Sequence, residues 1–483
     1  MVRRWVLLGA IAAVAIAAAA VLVLTRGDDP APVAKTAAPK ATVVPDQSFR
    51  SRPDLTPPQL QVTGKASGYV FLAPKRTPGQ NGPMILNPEG ELVWFHPLAK
   101  GTTTDDFSVQ TYQGQPVLTW WEGKLERNGY GSGEWVIADR SYKEIARVRA
   151  GRGLEGDLHE IQLTKRGTAL VSIYHAVKDD LTAMGSADDV DVLDSLIQEI
   201  DIKTGKVLWQ WSALKHVGIG ETYVNIPKQA GKLMDFFHIN SIDELPDGNL
   251  LVSARNTWAL YEISKKTGKV LWRLGGRRSD FALGKDARFA WQHDARAHGD
   301  GTITLFDNES DPKIGEATRL LTLNVDEQDR TVTVKRALTH PRKLLAGAEG
   351  NAQLLPDGGV FSGWGLGRTV TELGPDGALR FEAKLPSNTD TYRAFTFDWD
   401  PKPAEPPVAV AERSGSQVTA FVSWNGEDVD RWELLAGEDP GSLKPIASAE
   451  RTGFETKLTG DTDAPYIAVR APGGQTSAAI QVH

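Results

Sequence analysis

One nine-residue phrase occurs twice in the middle of the chain and constrains the fold more than any other feature. Residues 201–209 read DIKTGKVLW, and residues 264–272 read SKKTGKVLW. Looser copies of the phrase begin at Asn87, Asp139, Asn324 and Gly374. Successive copies start between 50 and 63 residues apart, and each consists of a strand, a tight polar turn and a second strand. Self-similarity at such a period predicts a repeat architecture built from β-hairpins.

Further apolar strands lie upstream of these hairpins. Each copy has one behind a glycine-containing turn, at 70–73, 116–121, 168–174, 249–254, 302–306 and 359–364. In five copies a still earlier strand begins near Asp106, Leu158, His238, His293 or Asn351. Residues 392–399 supply the sixth inner strand and complete the unit that starts at Tyr69. Six four-stranded units predict an all-β chain folded as a six-bladed β-propeller over residues 66–400. Eight blades or a β-helix fit the count less well.

The two ends of the chain differ from this repeat. Residues 5–25 carry no charge and follow Arg3 and Arg4, which predicts a transmembrane signal anchor over residues 1–26, with a cleaved signal as the alternative. We therefore expect the bulk of the chain to lie outside the cytoplasm, held to the cell membrane by a single span or secreted. Residues 27–65 are rich in proline and alanine and predict an extended linker. Residues 401–483 read as short alternating strands and predict a small immunoglobulin-like or fibronectin-like sandwich.

Composition excludes several classes of function. The formal charge of −7 argues against a nucleic-acid-binding protein. The chain has no cysteine, which excludes thiolate nucleophiles, disulfides and cysteine-ligated metal sites. It has 14 tryptophans, of which Trp94, Trp209 and Trp272 follow the turn in three repeats. We expect these three side chains to pack between blades.

The inner strands bring histidines together. Alignment of their first residues places His159, His238, His293 and Asn351 at matching positions in four consecutive units. Inner strands of a propeller line one channel, so these side chains are expected to converge at its mouth. Neutral imidazoles there can ligate a metal, transfer protons or act as nucleophiles, and the residues alone leave the three roles open. Three arginines on or beside the same strands are candidates for binding an oxyanion: Arg255, Arg296 and Arg393.

Several of these segments resemble the arylsulfotransferase family, in the branch found in actinobacteria and fungi. They are FFHINSID at 236–243, PDGNLLVS at 246–253, WQHDAR at 291–296 and GNAQ at 350–353. The resemblance covers residues 66–400 and implies a six-bladed propeller. It also implies an exported enzyme that transfers a sulfuryl group from a phenolic sulfate ester to a phenol. Transfer would pass through a sulfohistidine, with no nucleotide sulfate donor and no cofactor.

The resemblance also implies roles for individual residues. His238 and His293 match two active-site histidines of the family, and Arg393 matches a recurring motif near the channel. In the better-known branch the nucleophilic histidine follows a glycine-rich turn in the last full blade, but residues 363–368 here read GWGLGR. We therefore expect His293 to be the nucleophile, with His238 as second choice; the alternative is that this branch carries out different chemistry on the same scaffold. The residues expected to bind substrate are His159, Asn351, Arg255, Arg296 and Arg393.

Three other interpretations remain open from the sequence. The propeller could bind a ligand or polymer in its channel without catalysis. The repeated TGKVLW phrase also suggests a quinone-cofactor dehydrogenase, although those enzymes commonly use eight blades. A metal site at His159, His238 and His293 is a further alternative to the metal-free site that we predict.

Overall fold

The computed structural model describes residues 47–126, 129–187 and 190–483. The predicted membrane span at residues 1–26 lies outside these residues, as does the first part of the predicted linker. Within the described ranges, no helix has both the length and the apolar character that crossing a bilayer requires. The described residues form β-strands and four short 3₁₀ turns, at Thr182–Met184, Ile219–Glu221, Arg255–Thr257 and Gly365–Gly367.

Six antiparallel four-stranded sheets follow one another along the chain, and each places its strands in simple meander order. We number these sheets as blades 1 to 6. Blade 1 consists of Ala394–Phe397, Tyr69–Leu72, Met84–Leu86 and Leu92–Phe95. Blade 2 consists of Thr103–Tyr112, Gln115–Leu125, Gly131–Ala138 and Glu144–Val148. Blade 3 consists of Ile161–Leu163, Thr168–Lys178, Asp191–Asp201 and Val207–Ser212.

The remaining three blades have the same layout. Blade 4 consists of Ile239–Glu244, Leu250–Ala254, Ala259–Ile263 and Val270–Gly275. Blade 5 consists of His293–Ala297, Thr302–Asp307, Arg319–Asp326 and Thr331–Thr339. Blade 6 consists of Gln353–Leu354, Val360–Gly363, Thr369–Leu373 and Leu379–Lys384. In each blade the first strand given is the innermost.

The blades form a closed ring. Inner strands of neighbouring blades contact one another, and the backbone N–H of Ala352 in blade 6 donates to Asp294 in blade 5 at 3.1 Å. The strand Ala394–Phe397 returns from the far end of the chain and pairs with Tyr69–Leu72 in blade 1. The arrangement is therefore a six-bladed β-propeller, and the strand that closes it lies within the residues 392–399 expected from the sequence.

Three additional short strands pair with the outer or middle strands of blades. They are Gln61–Gly64 on blade 6, Leu233–Asp235 on blade 3 and Ala282–Leu283 on blade 5. The first of them differs from the extended linker expected over residues 27–65. Its pairing with Leu379–Lys384 is accompanied by Leu55, which is fully buried against the core shared by blades 1 and 6. Apolar burial thus fixes the end of a segment whose proline content had suggested an unpacked chain.

The repeated tryptophans fill spaces between blades, but not equally. Trp94 packs with Phe107 and Trp120 of blade 2, and Trp272 packs edge-to-face on Phe281. Both indoles are buried. Trp209 is only half-buried at the margin of its cluster. The expected interblade role therefore describes the first two side chains better than the third.

Residues after 407 form two further sheets around one hydrophobic core. The first contains Val408–Ser414, Gln417–Ser423 and Glu455–Asp461. The second contains Lys444–Glu450, Arg431–Gly437, Tyr466–Arg470 and Ile480–Gln481. Two of these strands, Val408–Ser414 and Lys444–Glu450, were not foreseen from the sequence. Both are edge strands in which small or polar side chains weaken the alternation that marks a strand.

Candidate active site

Three histidines from consecutive blades line one cavity of about 360 Å³. His159, His238 and His293 lie at the starts of the inner strands of blades 3, 4 and 5, where the aligned sequence placed them. The rings of His159 and His238 meet edge-to-face, with their centroids 4.9 Å apart. Other side chains that line the same cavity include Lys75, Asp235, Arg255, Glu349 and Tyr392.

Two tyrosines hold these rings in place. Tyr174 contacts both His159 and His238 with ring centroids 5.4 Å apart in each case, and its hydroxyl donates to the carbonyl of Ile239 at 2.6 Å. The Tyr392 hydroxyl donates to a neighbouring inner-strand carbonyl at 3.2 Å. Burial raises the pKa of both tyrosines well above the usual 10, so both phenols stay protonated. Tyr392 is therefore a neutral part of the cavity wall, and Tyr174 is a neutral support for two of the histidine rings.

Two of the histidines have a carboxylate behind the ring. The Nδ1 of His159 lies 2.6 Å from Asp157 Oδ2, and the Nδ1 of His238 bonds to Asp235 Oδ2. Burial lowers the pKa of His159, against the opposing charge of Asp157. Burial also works against ionisation of Asp157, but His159 and hydrogen bonds from backbone N–H groups keep its pKa below the usual value. Because an ionised carboxylate only accepts, the His159 ring carries its proton on Nδ1, and the geometry at His238 likewise places Nδ1 on a carboxylate oxygen.

His293 has an amide in the corresponding place. Its Nδ1 lies 2.8 Å from Asn308 Oδ1 and 3.1 Å from the carbonyl of Trp291. Its Nε2 accepts a long hydrogen bond of 3.4 Å from the backbone N–H of Glu349. Burial first, and then the nearby Arg255 guanidinium, hold the pKa of His293 well below 6.5. His293 is therefore a neutral imidazole with its lone pair on Nε2 at ordinary pH.

Arg255 is the positive charge that most strongly disfavours protonation of His293. Its guanidinium stacks over the Trp291 ring at 4.7 Å, and one Nη1 bond of 2.9 Å to Asn256 Oδ1 fixes its plane. Its Nε is buried and has no hydrogen-bond partner. Among the described residues, no carboxylate lies within ion-pair distance of Arg255. A cavity wall with an unneutralised guanidinium is suited to an oxyanion.

Arg296 and Arg393, which we expected to bind substrate, are not among the residues that line this cavity. Arg296 donates to Glu160 at 2.6 Å and to Asp294 at 2.9 Å. Arg393 is fully buried and donates to Asp106 at 3.0 Å and to Glu160 at 3.3 Å. Burial raises the pKa of Asp106 to about 7 despite this pairing. Carboxylates from neighbouring inner strands thus occupy both guanidinium groups, and the network ties the blades together inside the channel.

Asn351 also lies outside the cavity wall. Its Oδ1 accepts from the backbone N–H groups of Gly363 at 2.8 Å and Ala394 at 3.0 Å, and its Nδ2 donates to the Ala394 carbonyl at 2.8 Å. The side chain is fully buried. All of these bonds are to backbone groups of blades 6 and 1, so Asn351 joins two blades where the sequence had suggested a substrate contact.

Several cavity residues were missed from the sequence. Lys75 Nζ lies 2.5 Å from Asp105 Oδ1 and 3.0 Å from Glu349 Oε1. Burial raises the pKa of Asp105 to about 8, in spite of the lysine beside it. The carboxylate partners of Lys75 lie in separate segments of the sequence, which gave no signal for this cluster. The aspartates behind two histidines were visible, since Asp157 and Asp235 precede their partners by two and three residues.

A metal ion in the cavity would need several His, Asp or Glu ligands arranged around one point. The described part of the chain contains no group of three or more His, Asp or Glu side chains arranged to hold a metal ion. Each of the three cavity histidines instead places Nδ1 on an oxygen of the protein. The described residues therefore contain no cluster that corresponds to the alternative metal site at His159, His238 and His293.

Comparison with known proteins identifies the family. The model of the arylsulfotransferase (ASST) family matches residues 108–385, which include all three cavity histidines and Arg255. No curated protein matches the chain significantly. A solved protein of unknown function from Bacteroides caccae is 15% identical, with 66% of this chain and 93% of that one covered and a TM-score of 0.40.

Two enzymes are also among the similar solved structures. Virginiamycin B lyase from Staphylococcus aureus is 9% identical over 86% of this chain and 97% of its own, with a TM-score of 0.26. The α-L-arabinanase of Penicillium chrysogenum is 11% identical over 67% and 98%, with a TM-score of 0.33. The family match covers more than half of the chain, and on that match this protein belongs to the arylsulfotransferase family.

Proposed function

We propose that this protein is an exported aryl sulfotransferase that moves a sulfuryl group from a phenolic sulfate ester to a phenol through His293. The observation that carries the proposal is the state of His293, a buried neutral imidazole that lines the same cavity as Arg255, a guanidinium without a carboxylate partner. A neutral imidazole is a nucleophile, and a guanidinium stabilises charge on sulfonate oxygens. Export is proposed from the uncharged run at residues 5–25.

In the first half-reaction, His293 Nε2 attacks the sulfur of the ester. A nitrogen–sulfur bond forms, the bond from sulfur to the phenolic oxygen breaks, and the electron pair of that bond leaves on the phenolate. The imidazolium of a second histidine donates a proton to this phenolate as it departs. In the second half-reaction a phenol loses its proton to the same imidazole and attacks the sulfur, and the nitrogen–sulfur bond breaks.

His238 is the proposed acid and base. The carboxylate of Asp235 behind its ring stabilises the imidazolium form, which the neutral amide behind His293 does not do. A carboxylate partner suits a ring that exchanges protons, whereas the neutral His293 stays available as a nucleophile. His159 carries the same type of partner in Asp157 and is placed beside His238, where it supports the orientation of that ring.

The test uses purified protein with p-nitrophenyl sulfate as donor and phenol as acceptor, in the absence of nucleotides. We expect release of p-nitrophenol together with formation of an equal amount of phenyl sulfate. Initial rates measured against both substrates should give parallel double-reciprocal lines, which are typical of a covalent intermediate. Absence of release from several aryl sulfates would contradict the proposal and would favour a propeller that binds ligands without catalysis.

A further inference from the structure

Three aromatic rings form a continuous stack beside the cavity. Tyr223 and Trp258 lie face to face, with centroids 3.6 Å apart and planes 5° from parallel. Trp258 then meets Trp291 edge-to-face at 5.1 Å. Trp258 and Trp291 are buried and Tyr223 is half-buried. The stack therefore provides a rigid support that leads away from His293, two residues beyond Trp291.

Each ring carries one arginine. Arg255 lies 4.7 Å from the Trp291 centroid, Arg288 lies 5.4 Å from Trp258, and Arg277 lies 4.4 Å from Tyr223. Arg255 lines the cavity, whereas Arg277 and Arg288 are exposed. We call these three side chains the arginine strip. It extends from the wall of the cavity to the protein surface.

The strip is held by aromatic faces and not by carboxylates. Among the described residues, no Asp or Glu lies within ion-pair distance of any of the three guanidinium groups. Asp235 and Asp311 interact electrostatically with Arg255 from beyond ion-pair distance. Arg277 donates one bond, from Nε to the Thr222 carbonyl at 3.0 Å. Stacking occupies the face of a guanidinium and leaves most of its N–H edge free to bind an anion in its plane.

This local positive charge contrasts with the whole chain, which has a formal charge of −7. Guanidinium groups without carboxylate partners favour an anionic occupant, and the cavity at the inner end of the strip limits its size, because about 360 Å³ accommodates a small aromatic molecule. Of the two proposed substrates, the sulfate ester is an anion and the phenol is neutral. Positive charge around a cleft raises the rate at which anions enter it.

We propose that the arginine strip is an anion subsite that captures the sulfate ester donor and leads it to Arg255 in the cavity. The proposal rests on the proposed function, since it assigns to the arginine strip the initial binding of the donor of that reaction. It makes Arg277 and Arg288 determinants of donor capture, although neither touches the transferring group.

The experiment measures kcat/KM separately for p-nitrophenyl sulfate and for phenol at about 0.02 M and about 0.3 M salt, because salt screens exposed charges over these concentrations. In the wild-type protein we expect kcat/KM for the donor to fall with salt and that for the acceptor to stay constant. In the double variant Arg277→Gln/Arg288→Gln we expect the donor-to-acceptor ratio of kcat/KM at low salt to fall by about threefold or more, with a weaker salt dependence.

The control variant is Lys444→Gln/Lys457→Gln, which removes two exposed charges from the C-terminal sheets and should leave the ratio at its wild-type value. An equal salt response for donor and acceptor would overturn the proposal without any variant. A wild-type ratio in the arginine double variant would also overturn it. If the wild-type protein releases no p-nitrophenol from the donor, the proposed function fails. Binding of p-nitrophenyl sulfate then tests the strip, and equal affinity in wild type and double variant refutes it.

Discussion

The Nδ1 of His293 donates a hydrogen bond of 2.8 Å to Oδ1 of Asn308. The direction of this bond follows from the other end of the amide, since Asn308 Nδ2 donates to the carbonyls of Ala346 at 3.1 Å and Glu349 at 3.0 Å. The amide oxygen must therefore point at His293 and accept from it. This single relationship fixes the tautomer of the ring and places its lone pair on Nε2, where the Glu349 N–H approaches only at the long distance of 3.4 Å.

The carboxylate behind His238 should matter most for poor leaving groups. We expect Asp235→Asn to lower kcat by about a hundredfold with phenyl sulfate, because the phenolate needs a proton as it leaves. The loss should be smaller with p-nitrophenyl sulfate, whose leaving group is stable without protonation. Steady-state rates with the two donors measure the difference. The matched variant is Asp157→Asn, and a leaving-group-dependent loss there but not in Asp235→Asn would transfer the role to His159.

Burial of a neutral His293 predicts how stability depends on pH. The unfolded chain takes up a proton at this residue as the pH falls through about 6.5, but the folded chain does so only at much lower pH. The unfolded state then binds more protons, so the free energy of unfolding contributed by this residue falls as the pH drops below about 6.5.

Urea unfolding at a series of pH values tests this contribution. We expect the His293→Gln variant, which cannot take up a proton at this position, to lose less stability between about pH 6.5 and pH 5 than the wild type. Because His159 also has a lowered pKa, only the difference between the two proteins is informative. Identical losses in wild type and variant would show that His293 titrates normally in the folded chain.

Lys75 should be required for stability because it is buried among carboxylates. It lies within 4 Å of Asp105, Glu349 and Asp390. Lys75→Met keeps the approximate volume but removes the cation that pairs with Asp105 and Glu349, whereas Asp390 keeps Arg76 as a partner. We expect a loss of about 3 to 5 kcal/mol in the free energy of unfolding, measured by urea denaturation. The exposed Lys457→Met is the control and should change stability little, and an equally small effect at Lys75 would refute the assignment.

Asn351 provides a test of structural against substrate-binding roles. Asn351→Ala removes three bonds to the backbone of blades 6 and 1, so we expect the free energy of unfolding to fall by about 2 kcal/mol or more. The Michaelis constant for the donor should stay near the wild-type value in the folded fraction. A raised Michaelis constant with unchanged stability would restore the role that the sequence had suggested.

The repeat in the sequence predicted the parts of the fold that follow from period alone. Equivalent positions of successive blades become neighbours in a propeller, so His159, His238 and His293 could be placed at one cavity without coordinates. The contacts of residues a few positions farther along the same strands could not be predicted in this way. A register shift between His293 and Arg296 in blade 5 breaks the regular alternation of side chains, and Arg296 meets Glu160 and Asp294.

Partners that come from distant parts of the chain were equally inaccessible. Asn308, which accepts from His293, lies fifteen residues farther along the chain. The backbone N–H that donates to the Nε2 of His293 belongs to Glu349, in the connection between blades 5 and 6. The choice of His293 as nucleophile rested on a resemblance, and the contacts that distinguish it from His238 are tertiary. Lys75 was missed for the same reason, since its carboxylate partners come from three separate segments.

The most direct test of the account is the mass of the protein after brief exposure to p-nitrophenyl sulfate without an acceptor, followed by peptide mapping. The account predicts one added sulfuryl group, located on His293, absent from His293→Ala and released when phenol is added. A sulfuryl group located on His238, or its persistence in His293→Ala, would contradict the assignment of the nucleophile. Turnover without any covalent adduct would contradict the transfer through histidine altogether.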